Sequence, residues 1–166
     1  MHEYINKIIL IAFLTLLPSM AIANDKSKKN DTIAVDIVAG EIGDVKYRAT
    51  VATIQKSIRK KRINKATEYP EGEPTEFHII DIKGHKIFKH WNATSFTDPI
   101  FKMPGDLGTG VTIKEFRKIY GTGEITDKEG DALCFDSQTP KYHFCISVRN
   151  GDYKGDGEKV SEIWVW

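Results

Sequence analysis

Its two cysteines constrain this chain more than any other feature. Cys134 lies in Ala132-Leu133-Cys134-Phe135 and Cys145 in Phe144-Cys145-Ile146-Ser147-Val148, both largely apolar. Between them, Asp136-Ser137-Gln138-Thr139-Pro140-Lys141 is polar and holds a proline, so the segment reads as a hairpin with that stretch as its loop. Setting Cys134 against Cys145 puts Phe135 opposite Phe144, an apolar register. In an oxidising compartment such a pair closes as a disulfide, and so short a loop gains roughly 2–3 kcal/mol from it. A redox role would want Cys-x-x-Cys spacing, and two cysteines with one nearby histidine make a poor zinc set.

The N-terminus supplies that compartment. Lys7 precedes an apolar run from Ile8 to Leu17, Pro18 breaks it, and Ala21-Ile22-Ala23 offers a small-x-small cleavage pattern before Asn24. The apolar run reaches about 15 Å as a helix, half the roughly 30 Å hydrocarbon core, so residues 1–23 read as a signal peptide and not as a span. No cysteine sits near the cleavage point, so no lipid anchor is expected, and no later segment is apolar enough to cross a bilayer. The mature protein is expected to be soluble, either periplasmic or secreted. With 24 Lys plus Arg against 23 Asp plus Glu, a net charge of +1 removes any broad electrostatic case for nucleic-acid binding.

Residues 24–31 form a polar leader, and 32–166 are long enough for one globular domain. Ile33 to Val38 is β-rich, and Thr50 caps a helix whose apolar positions are Val51, Ile54 and Ile58. Phe77–Ile82 and Ile87–Trp91 flank Lys83-Gly84, a two-residue turn that pairs Asp81 with Lys86, Ile80 with Ile87 and Ile79 with Phe88. That register sets His78 against Lys89 and His90 against Phe77. Residues 92–110 read as a long loop with one short strand near Ile100-Phe101. Thr112-Ile113-Lys114-Glu115 is a capping box: the Thr112 hydroxyl accepts the Glu115 amide, and the Glu115 carboxylate reaches back. The helix it opens ends at Gly121. Val160 to Trp166 closes the chain as a strand. These elements predict an α+β fold: antiparallel sheet with two short helices over one face. Residues 32–92 and 110–166 share the order helix, then strands, which leaves an internal repeat open.

With these segments in place, the chain resembles a family of exported bacterial proteins known as domain of unknown function eleven-thirty-one. The likeness lies in Gly43-Asp44-Val45-Lys46 leading into the Thr53-Ile54 helix, and in Glu68-Tyr69 through Glu73. It continues in Gly110-Val111-Thr112 to Tyr120-Gly121, in Leu133-Cys134, and in Glu162-Ile163-Trp164. The resemblance implies an envelope location and carries no activity and no functional residues.

No catalytic constellation stands out. There is no Gly-x-Ser-x-Gly, and the cysteines are expected to be paired. His78, His85, His90 and His143 lie near lysines and read as solvent-facing strand residues, so no metal or cofactor is expected. Asp152, Asp156 and Glu158 suggest a calcium loop, but counting from Asp152 puts Ile163 where an EF-hand needs a bidentate Glu. The expectation is therefore a non-enzymatic module binding an envelope or secreted protein, with inhibition or immunity as its sharper form. Its candidate anchors are Trp91, Phe96 and Phe101 around the long loop. A second reading is envelope maintenance by contact with anionic lipid through the basic run Lys56, Arg59, Lys60, Lys61, Arg62 and Lys65 on a helix. A hydrolase whose site forms only in three dimensions is the third.

Overall fold

A computed structural model describes residues 31–58, 62–69, 72–125, 132–149 and 153–166. The expected signal peptide, most of the polar leader, Arg59, Lys60, Lys61 and Asp152 lie outside the described residues.

The described chain is mostly strand, with two short helices, so the expected combination of antiparallel sheet and two helices holds at that level. A four-stranded sheet has the order β3-β2-β1-β8, from β1 (Ile33–Asp36), β2 (Glu41–Ile42), β3 (Val45–Lys46) and β8 (Phe101–Lys102). Its β1–β8 pair is parallel. The second sheet is antiparallel throughout, in the order β4-β5-β6-β7-β12-β11-β10-β9. Its first four strands are β4 (Ile63–Glu68), β5 (Thr75–Ile82), β6 (His85–Lys89) and β7 (Thr94–Phe96). The other four are β9 (Glu124–Ile125), β10 (Ala132–Gln138), β11 (Lys141–Val148) and β12 (Val160–Val165). Helix α1 (Val51–Ser57) precedes the first set and α2 (Ile113–Tyr120) the second, and β7 meets β12 at the seam.

Local chemistry explains the elements the sequence announces. Lys83 and Gly84 both have positive φ (55° and 89°), the geometry of a two-residue turn whose twist matches the strands it joins. The ladder it sets pairs Asp81 with Lys86, Ile80 with Ile87, Ile79 with Phe88 and His78 with Lys89, as expected. The second hairpin pairs Cys134 with Cys145 and Phe135 with Phe144, and the two cysteines are disulfide-bonded. Its loop is shorter than expected. Asp136, Ser137 and Gln138 stay in the strand, opposite His143, Tyr142 and Lys141, which leaves only Thr139-Pro140 at the turn.

Thr50 caps α1 by accepting the Thr53 amide at 3.3 Å. At α2 the Glu115 carboxylate accepts the Thr112 amide at 2.8 Å, as the capping box requires, but the Thr112 hydroxyl also donates to that carboxylate. Gly121, with φ of 87°, ends α2 and donates to the Arg117 carbonyl.

Both sheets and both helices bury their apolar residues in one core, including Ile54 of α1, Phe116 of α2, Ile80 and Ile87 of the first hairpin, and Phe135 and Phe144 of the second. Residues 92–110 are not an open loop. Strand β7 pairs with β6 and β12, and β8 lies beside β1, so this segment carries the chain between the two sheets.

Candidate binding site

The three expected aromatic anchors part company. Trp91 is 97% exposed, whereas Phe96 and Phe101 are 0% exposed and pack against each other with ring centroids 5.3 Å apart. Phe96 and Phe101 are therefore core residues. Strand alternation turns Phe96 inward opposite Ile163, and the β1 ladder does the same for Phe101 opposite Ile33.

The basic run is not one helical face. Helix α1 ends at Ser57, Arg62 precedes β4, and Lys65 lies within β4. Arg62 makes a two-pronged contact with Asp44, at 2.8 and 3.1 Å, and its Nε donates to the Asp81 carbonyl. The Arg62 hydrogen bond holds the Asp44 carboxyl below its usual range. Lys65 pairs with Glu76, and Lys56 is exposed on α1.

Two of the acidic residues that superficially suggest a calcium loop, Asp156 and Glu158, serve the fold. Asp156 accepts from Arg117 and from the Tyr153 hydroxyl, both at 2.7 Å, while Glu158 accepts the Lys154 and Gly155 amides. The one cluster of metal-type side chains among the described residues, Cys134, His143 and Cys145, contains the disulfide sulfurs and so lacks the thiolates a metal needs. His85 is held by Asp98 at 2.6 Å, a pair not legible in the sequence because the partners come from β6 and the chain after β7.

Two surfaces remain. The first is the outer face of the eight-stranded sheet. Pleating sends Ile80, Ile82 and Ile87 into the core and Phe77, Ile79 and Phe88 to the opposite side. There Phe77 packs on Phe88 (6.2 Å) and stacks on His90 (5.4 Å), and His90 lies 4.9 Å from Trp164. Beyond Trp164, the disulfide and the His143–Trp166 pair (4.8 Å) line a shallow depression of about 320 Å³. Phe77, Phe88, His90 and Trp164 are each half-buried. Burial pushes the His90 pKa down, against the pull of Glu68 and Glu162, so its ring is neutral at pH 7 and stacks as a flat apolar surface.

The second surface is a pocket of about 490 Å³ where the start of α1 meets the ends of β5 and β6, lined among others by Val51, Glu76, His78, Lys89 and Trp91. His90 borders both surfaces. Neither was visible as a unit in the sequence. The alternation of Phe77, Ile79, Phe88 and His90 was the available signal, and Trp164 joins them only through the β7–β12 seam.

No family model matches the chain, and no curated protein matches it. A solved structure, that of the uncharacterized protein yfeY from Escherichia coli, aligns over 81% of this chain and 98% of its own, with a TM-score of 0.47 and 12% identity.

Proposed function

We propose that this protein is a non-enzymatic binding module of the cell envelope that docks another protein on the aromatic outer face of its eight-stranded sheet. The observation that carries the reading is the continuous row Phe77, His90 and Trp164, in ring contact with one another and each still partly open to solvent. Contiguous apolar surface of this kind on a folded chain is characteristic of interaction sites, and aromatic anchors contribute most of the binding energy in them. Trp91 stands at the rim as a further anchor. Inhibition of an enzyme or toxin is the sharper form of the same proposal, since a broad, rigid sheet face suits occlusion of a partner's site.

The envelope address rests on the N-terminal signal pattern and on the disulfide, which persists in oxidising compartments. Membership of the domain of unknown function eleven-thirty-one family belongs to the same proposal. So does an α+β fold built from two similar halves, each a helix followed by four strands, which meet at β7–β12 to widen the open face. Lipid contact by the basic run is less favoured, because Arg62 and Lys65 are already matched by Asp44 and Glu76.

The test is capture from an envelope extract in about 0.5 M salt, where screening removes long-range charge attraction. Wild-type protein is expected to retain its partner there, and a Phe77→Ser/Trp164→Ser variant with an unchanged melting temperature is expected to lose it. Retention by the variant would remove the sheet face from the account.

A further inference from the structure

We propose that the pocket beneath Trp91 is a binding site for a monoanionic carboxylate with an apolar body, and that Lys89 is its counter-ion. The inference is independent of the sheet-face reading.

Lys89 springs from the core-facing side of β6, two residues after the fully buried Ile87, and is itself only 4% exposed. Among the described residues its ammonium has neither a hydrogen bond nor an ion pair. Burial, with no compensating charge, pushes its pKa down. Directly across the ladder Thr94 is 0% exposed, and its hydroxyl is buried without a hydrogen bond, whereas the Lys89 ammonium reaches the open space of the pocket. The lysine stem is buried and its ammonium ends at the pocket, where no protein group answers its charge. A cation on a buried stem that has no structural partner and lines a pocket is placed to meet a partner from solution.

The pocket's charges set the ligand class. Glu76 is matched by Lys65, so Lys89 is left as one unmatched positive charge. A single negative charge balances it, whereas a phosphate dianion would bring a second, uncompensated one. Among the described residues no arginine fork lines the pocket to hold a phosphate two-pronged. Val51 and the Trp91 indole supply apolar walls, which call for an aromatic or branched aliphatic body behind the carboxylate.

The test is calorimetric titration of the protein with sodium benzoate, with benzamide as the uncharged isostere, inorganic phosphate as the competing anion, and N-acetylphenylalaninate as the mimic of a peptide terminus. Benzoate is expected to bind saturably and benzamide about tenfold or more weakly, the ratio for losing one charge-assisted hydrogen bond. Lys89→Met is expected to abolish the difference between the two, and phosphate is expected not to saturate. Tighter binding of N-acetylphenylalaninate than of benzoate assigns the site to a chain terminus. The reverse order assigns it to a free small acid, and both orders support the site. Equal binding of benzoate and benzamide, or benzoate binding that persists in a folded Lys89→Met protein, would overturn it. Should Lys89→Met fail to fold, trinitrobenzene sulfonate labelling of Lys89 in unaltered protein, mapped by mass spectrometry, reads the same contact. Benzoate is expected to slow labelling at Lys89, and no effect there would overturn the site.

Discussion

Lys89 and Trp91 stand two residues apart at one strand end and act on stability in different ways. Lys89 keeps its stem among buried residues and its ammonium at the pocket, so Lys89→Met is expected to change unfolding free energy by no more than about 0.5 kcal/mol in urea melts at pH 7. Its pKa is lowered in the folded state, so the unfolded chain binds the proton more readily. Stability from this group therefore grows as pH rises from the depressed folded value toward the ordinary lysine value, and is absent below both. Wild-type protein is expected to gain stability over that alkaline window relative to Lys89→Met, and parallel pH profiles would contradict the assignment. Trp91 touches almost nothing, and Trp91→Ala is expected to change stability by no more than about 0.5 kcal/mol. Phe96→Ala, by contrast, is expected to cost about 3–5 kcal/mol, because it empties a fully buried site between Ile163 and Phe101. The sequence places Trp91 at a strand end and Phe96 in the long loop that follows it. Their difference is set by β12, a strand from the far end of the chain, and no local pattern encodes it.

At the scale of elements, what was legible is what is local. The Lys83-Gly84 hairpin, the Cys134–Cys145 register, the Thr50 cap and the Gly121 stop each depend on residues close in sequence, and each stands in the structure as read. The short strands β7 and β8 were not legible in full, since two or three residues carry too little alternation to announce a ladder whose partners are β12 and β1. The basic run was misplaced on a helix because charge spacing does not show where a helix stops. Ile58, with extended backbone at φ −119°, is where α1 ends. The disulfide hairpin yields a direct test: a Cys134→Ser/Cys145→Ser protein is expected to lose roughly 2–3 kcal/mol by urea unfolding, from loop-closure entropy restored to the unfolded chain. His90, at the end of the first hairpin, adds a pH dependence. Its folded pKa lies below the unfolded value of about 6.5, so its contribution is present above that value and lost as pH falls through it toward the folded pKa. A His90→Gln variant is expected to show a shallower loss of stability between pH 7.5 and 5 than the wild type, measured by urea melts.

At the scale of the molecule, the eight-stranded sheet has two unlike faces. One is filled by the four-stranded sheet and both helices. The other carries the aromatic row from Phe77 to Trp164 and on to the disulfide and Trp166. Antiparallel sheets tolerate one uncovered face, but that face is ordinarily polar, and here its centre is not. The sequence held each member of this row in plain view, yet the row exists only once the two halves meet at β7–β12, which is why the site was only partly readable. The most direct measurement is oxidative side-chain footprinting of the protein alone and bound to the partner it captures at high salt. The account predicts that Phe77, Phe88 and Trp164 are labelled in the free protein and protected together in the complex. Full labelling of those three in the complex, with protection confined to other surfaces, would contradict it.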